Sequence, residues 1–62
     1  MDDDTADLIA QLCTRAGMIM EDMGVLALTM GSIPEADRAL ALTRLEVAAS
    51  QIAALIGAAR AI

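Results

Sequence analysis

Several residue types on which enzymes and structural metal sites depend are missing from this chain. It has no histidine, lysine or tyrosine, so the side chains that most often act as general bases are absent. Cys13 is the only cysteine, which excludes a disulfide within one chain and, without histidine, a zinc site as well. We therefore expect no catalytic residue, no cofactor and no bound metal, and a protein that is not an enzyme.

Basic charge and aromatic side chains are also scarce. The chain has four arginines and nine acidic residues, which gives a formal net charge of -5. Nucleic acids and anionic lipid surfaces are bound through basic surfaces, and single strands usually stack on aromatic rings, of which this chain has none. The composition argues against nucleic acid and against an anionic membrane surface as partners.

Long uncharged runs are missing too. The longest stretches without a charged residue are 23–34 and 47–59, twelve and thirteen residues long, whereas a membrane-spanning helix needs about 20. The first residues, Met1 to Asp4, are acidic, which is the opposite of the basic start of a signal peptide. We expect a cytoplasmic protein whose helices are core helices.

One short segment, Gly31 to Pro34, interrupts an otherwise helix-forming chain. Gly31 suits the left-handed position after a helix end, and Ser32 with Glu35 has the spacing of a capping box. So short a connection between long helices predicts an antiparallel hairpin.

The predicted fold is therefore all-α, with a single domain over residues 1–62. We expect helix 1 at about 5–30, a turn at 31–33 and helix 2 at about 34–61. Asp4 or Thr5 is the expected cap of helix 1, since both residue types accept hydrogen bonds from the first free N–H groups of a helix. A break at Gly17 or Gly24 would instead give three helices.

Helix 1 carries two apolar rows. The first seam has the three-four spacing of a coiled-coil-like bundle, and its members are Ile9, Leu12, Ala16, Ile19, Met23, Leu26 and Met30. The second seam repeats that spacing, and its members are Ala10, Cys13, Gly17, Met20, Gly24, Ala27 and Gly31. The two seams lie about 100° apart around the helix. This angle is close to that between the two neighbours of a helix in a square four-helix bundle.

The glycines of the second seam favour a close neighbour. Gly17 and Gly24 each cost roughly 1 kcal/mol relative to alanine inside a helix, and close approach of an alanine-rich helix would offset that cost. Helix 2 is alanine-rich, and its predicted apolar stripe comprises Leu42, Leu45, Ala49, Ile52, Ile56 and Ala59, widened by Ala41, Ala48, Leu55 and Ile62. Helix 2 has one broad apolar stripe, whereas helix 1 has two seams and therefore needs two neighbours. This difference predicts that two hairpins form a four-helix bundle. The alternative is that the glycines are merely tolerated on a solvent-facing row.

Three apolar residues of helix 1, Met18, Val25 and Leu28, belong to neither seam. Leu40 and Val47 lie off the main stripe of helix 2 in the same way. Exposed apolar residues rimmed by charge often mark protein interaction sites. We therefore predict an unidentified protein partner at Met18, Val25 and Leu28. A larger oligomer, or ordinary exposure of scattered apolar residues, would also explain them.

Two alternative functions remain open. The carboxylates of Asp2–Asp4, Asp7, Glu21 and Asp22 could occupy a basic nucleic-acid site on another protein, as a small phage-borne inhibitor would.

The run Met18 to Met23, with Cys13 before it, offers soft sulfur ligands of the kind that select Cu(I). Met18 and Met20 lie about 200° apart on a helix, which leaves Met20 and Met23 as the better pair. Methionine also fills irregular core gaps, and Cys13 is predicted to be a small core residue.

The length and the expected hairpin-dimer plan are similar to those of the Rop proteins, small RNA-binding regulators of plasmid copy number. The resemblance is one of architecture alone. RNA binding by Rop depends on a basic face, which this acidic, lysine-free chain lacks, so the resemblance implies no function here.

Overall fold

The computed structural model describes residues 3–62, which form two long helices and one short turn. Helix α1 spans Asp3–Leu28 and helix α2 spans Glu35–Ala61, joined by a single 3₁₀ turn at Met30–Ser32. The predicted all-α hairpin is confirmed. Helix α1 continues through both of its interior glycines, so the chain does not divide into three helices.

The start of α1 differs from the prediction. Asp4 and Thr5 lie inside the helix, since the described part of α1 already begins at Asp3, and so neither residue can be its cap. Asp3 and Asp4 occupy the first turn, where a carboxylate is favoured by the positive end of the helix dipole. Asp2 of the acidic run lies outside the described residues.

The predicted turn chemistry is wrong at Gly31 and Ser32. Gly31 does not take the left-handed conformation, because residues 30–32 form a 3₁₀ turn in which the Ser32 N–H donates to the Thr29 carbonyl oxygen at 2.9 Å. The residue that precedes α2 is Pro34, in an extended conformation, and no side chain caps the helix. The Pro34 carbonyl oxygen accepts the first helical hydrogen bond, from the Asp37 N–H at 2.9 Å. Backbone geometry fixed by proline therefore starts α2, and the Ser32 hydroxyl does not.

The end of α1 is closed by Thr29. Its hydroxyl lies within donating distance of the carbonyl oxygens of Val25, at 3.0 Å, and Leu26, at 3.2 Å. Its backbone N–H also donates to the Val25 carbonyl oxygen, at 3.1 Å. The last carbonyl groups of a helix have no partner inside the helix, and the Thr29 hydroxyl can supply one to the carbonyl oxygen of Leu26.

The first seam of α1 is the one that faces α2. Ala16 is buried, with 1% of its surface exposed, and the other six members of the seam are half-buried. On α2 the contact stripe is rotated from the predicted one. Ala41 and Ala48 are its most buried residues, whereas Leu42 and Ala49 are exposed. Small side chains on both helices therefore mark where the helices approach most closely.

The hairpin is a single layer of helices. Its Cα atoms extend over 49 × 16 × 9 Å, and the last dimension leaves no room for a second layer. Among residues 3–62 only Ala16, Ala41 and Ala48 are buried, and no large side chain is fully enclosed. Both broad faces of the layer are open to solvent, and these faces are the surfaces available for function.

Candidate interaction surfaces

One broad face of the hairpin carries a shallow groove between the helices. A recess of about 340 Å³ lies at its middle, and its lining residues are Ile19, Asp22, Met23, Thr43, Arg44, Val47, Ala48 and Gln51. A second recess of about 250 Å³ lies nearer the turn, lined by Leu26, Ile33, Asp37, Leu40, Ala41 and Arg44. We call this side the groove face. Its marker residues are Arg15 and Asp22 on α1 and Arg44, Val47 and Gln51 on α2.

The groove face combines an apolar floor with a charged rim. Ile19 and Met23 form the floor of the middle recess, and Asp22 and Arg44 lie at its rim. Arg15 lines a further recess toward the open end of the hairpin, together with Gln51. Charges of both signs therefore border the groove along its length. The sequence pattern placed Leu40 and Val47 off the main stripe, and the structure adds that both line this groove.

The opposite broad face is built mainly from small residues. Residues of the second seam lie about 100° around α1 from the first seam, on the side away from Arg15 and Asp22. The same rotation on α2 places residues from its predicted stripe on that side. We call this side the small-residue face, and it comprises Ala10, Cys13, Gly17, Met20, Gly24 and Ala27 of α1 with Leu42, Ala49, Ala53 and Ile56 of α2. All are exposed except Gly24 and Ile56, which are half-buried.

Charge is distributed unequally between the two faces. The part of the small-residue face contributed by α1 has no charged residue at its centre, and Glu21 lies at its outer edge. On α2, Glu35 and Arg38 lie at the turn end of this face, Arg60 lies at its open end, and Glu46 lies at its outer edge. The centre of the small-residue face is therefore uncharged, whereas the centre of the groove face is bordered by Asp22 and Arg44.

The glycines of α1 do not contact α2 of the same chain. A Cβ atom built on Gly17 or Gly24 would meet nothing within 4 Å. The expected close approach of an alanine-rich helix is therefore wrong for the chain's own α2. It stays a prediction for a second copy, because the small-residue face on which both glycines lie is open.

The predicted partner residues Met18, Val25 and Leu28 are all exposed, at 61%, 64% and 89%. All three lie on the side of α1 turned away from α2, and none lines either groove recess. Val25 and Leu28 are neighbours on this helix surface, one turn apart, and Met18 lies two turns below Val25. They form an open apolar strip.

Cys13 does not lie in the core of the single chain, contrary to the prediction, because the second seam that carries it is open to solvent. Met20 is 50% exposed and Met23 half-buried, so the two belong to different environments. In the part of the chain that the structure describes, no three histidine, cysteine, aspartate or glutamate side chains come together as metal ligands would.

Helix α2 is long and apolar enough to cross a membrane by length and composition alone. The core helix of a soluble protein, which is mostly buried, meets the same criterion, whereas 11% of this apolar window is buried in the hairpin. The property therefore does not distinguish a helix that faces lipid from one that protein covers.

Comparison of the chain with protein-family models, with curated proteins and with solved structures finds no match.

Proposed function

We propose that this chain is a non-enzymatic, cytoplasmic protein-interaction module that works as a homo-oligomer. Two hairpins associate into a four-helix bundle, and the bundle then presents an exposed surface of helix α1 to another protein. The observation that carries the proposal is the amount of surface that a single hairpin leaves in contact with water.

The exposed area is larger than that of a compact monomer of the same mass. The hairpin exposes 4647 Å², whereas a folded monomer of 6.4 kDa would expose about 3,800 Å². The excess, roughly 850 Å², is close to the ~800 Å² that each partner buries in a standard-size protein interface. Among residues 3–62, nine large apolar side chains contribute to that exposed surface, Leu8, Leu42 and Ile62 among them.

The composition of these 62 residues supports self-association. Small domains without a sufficient core are usually held by disulfides, by a metal or by oligomerisation. A lone cysteine and the absence of histidine leave no disulfide and no zinc site within these residues, which favours oligomerisation. Burying apolar surface contributes roughly 25 cal/mol per Å², so covering one broad face adds more stability than three buried alanines supply.

The docking part of the proposal rests on Met18, Val25 and Leu28. They are the three most exposed large apolar side chains among residues 3–62. Met18 and Val25 lie outside both broad faces of the hairpin, and Leu28 borders the small-residue face beside Gly24. A bundle formed through that face would leave Met18 and Val25 open. A partner with an apolar groove of its own would cover it, and such a contact would persist at high salt.

The oligomeric mass tests the proposal. The chain lacks tryptophan and tyrosine, so light scattering should be combined with refractive-index detection in place of absorbance at 280 nm. We expect a mass of at least twice 6.4 kDa at micromolar concentration, together with a strongly helical circular dichroism spectrum. A well-folded species at 6.4 kDa would reject the proposal.

A further inference from the structure

We infer that the small-residue face is the surface through which two copies of this chain pack, and that the groove face stays outside the contact. The inference rests on the proposed self-association and adds to it which of the two broad faces is buried. The occupant of the face is a second copy of the same chain.

The first reason is that the two faces differ in charge. Packing two groove faces together would take Arg15, Asp22 and Arg44 out of water. Removing a charge from water costs several kcal/mol per ion unless its partner and hydrogen bonds are well arranged. The charged residues of the small-residue face, Glu35, Arg38 and Arg60, lie toward its two ends, where they can stay in water. Burial of its uncharged centre avoids that cost.

The glycines give a second, independent reason. Gly17 and Gly24 weaken α1, yet a Cβ atom on either would meet no atom of α2 within 4 Å. Glycine in a helix permits the backbone of another element to approach closely. Within one hairpin that capacity is unused, and a second copy on the small-residue face would use it.

The available area is also sufficient. The excess surface of the hairpin matches what one partner buries in a standard interface, and one broad face of a 49 × 16 Å layer can supply it. A two-fold dimer through one face would thus cover the excess without a larger assembly.

Cys13 offers a test on the unaltered chain. It is exposed in the hairpin and lies on the small-residue face, so its thiol should react freely in a single chain and slowly in a dimer formed through that face. The probe is Ellman's reagent, with the rate of labelling followed during dilution of the protein. We expect labelling in the oligomer to be slower by roughly tenfold or more, since a covered thiol reacts only through the dissociated fraction.

Matched substitutions test the same face. Met20→Glu places a charge on the small-residue face, and Met18→Glu makes the same change on the outer side of the same helix. Ala53→Glu and Ala54→Glu are the corresponding pair on α2, because Ala53 lies on the small-residue face and Ala54 lines a groove recess. All four residues are exposed in the hairpin, so a single chain should tolerate each change similarly. We expect Met20→Glu and Ala53→Glu to lower the oligomeric mass, and Met18→Glu and Ala54→Glu to leave it unchanged.

The outcomes separate this inference from the proposed function. If the unaltered chain is a folded monomer, both fail together. The chain could instead be an oligomer in which Cys13 reacts as fast as a free thiol, or an oligomer that Ala54→Glu dissociates and Ala53→Glu leaves intact. Either result would keep self-association and show that the choice of face is wrong. If Met20→Glu unfolds the chain, circular dichroism will show it, and protection or exposure of Cys13 in the unaltered oligomer decides the matter.

Discussion

Ile19 of α1 and Ala48 of α2 line the same recess, at a level where the two helices pack closely. Ala48 is one of the three buried residues of the described chain, whereas Ile19 is half-buried. A small side chain therefore lies on the α2 side of this level, which leaves little room for a bulkier one at Ala48.

The first prediction concerns this contact. We expect Ala48→Leu to lower the free energy of unfolding by about 1–3 kcal/mol, because a larger side chain in a packed contact forces neighbouring residues apart. Ala58→Leu is the matched control, since Ala58 is exposed on the same helix. Thermal melts followed by circular dichroism should show a lower midpoint for Ala48→Leu only. Equal midpoints for the two variants would contradict the closeness of the helices at Ala48.

This contact also shows what the sequence could and could not predict. The three-four spacing from Ile9 to Met30 marked one side of α1 as a seam, because large apolar residues lie along it, but it did not say which of the two seams faces α2. On α2 alanines lie on almost every side, so spacing alone could not choose between Ala48 and Ala49. The choice depends on how closely the two helices approach, which is a property of the pair.

The turn was less predictable for a similar reason. Gly31, Ser32 and Glu35 match standard capping patterns, yet the 3₁₀ turn satisfies the backbone groups and leaves these patterns unused.

The groove on one broad face could not be predicted from either helix alone, since its recesses form only where residues of both helices meet. The exposure of Met18, Val25 and Leu28 followed directly from their positions outside both seams.

The second prediction concerns the end of α1. We expect Thr29→Val to lower the free energy of unfolding by about 0.5–1 kcal/mol, because it removes the hydroxyl that lies near the carbonyl oxygens of Val25 and Leu26. Ser32→Ala should change stability by less than about 0.5 kcal/mol, since Ser32 does not cap α2. Urea titrations of both variants measure the difference. A larger loss of stability for Ser32→Ala would mean that Ser32 does cap α2, as the capping-box pattern predicts, and would contradict the observed turn.

The third prediction concerns the glycines of α1. Gly24→Ala adds helix propensity with little bulk, whereas Gly24→Leu adds bulk on the small-residue face. A single hairpin has space for an added Cβ, so a loss of stability with leucine would have to come from a second copy. We expect Gly24→Leu to lower the melting temperature of the oligomer, with a cost of about 1–3 kcal/mol, and to reduce its mass at low concentration. A higher melting temperature for Gly24→Leu would mean that this row faces solvent in the assembly.

The last prediction concerns the partner strip. The double change Val25→Glu and Leu28→Lys replaces two exposed apolar side chains by a pair of opposite charges one helical turn apart, which helix α1 should accept. Net charge is unchanged, so a partner attracted by the acidic surface alone should still bind. We expect the variant to keep its helicity and oligomeric mass and to lose capture of the native partner from an extract.

The outcome of that experiment distinguishes the proposed functions from one another. Retained capture that weakens steeply with added salt would reject the strip and favour the small acidic inhibitor, because exposed charges are screened over about 8–10 Å at physiological ionic strength. Collapse of the oligomer would show that Val25 and Leu28 are covered by further copies of the chain, in a bundle larger than a dimer. Loss of capture with the mass intact leaves apolar docking on the outer surface of α1 as the explanation, since neither the fold nor the net charge would have changed.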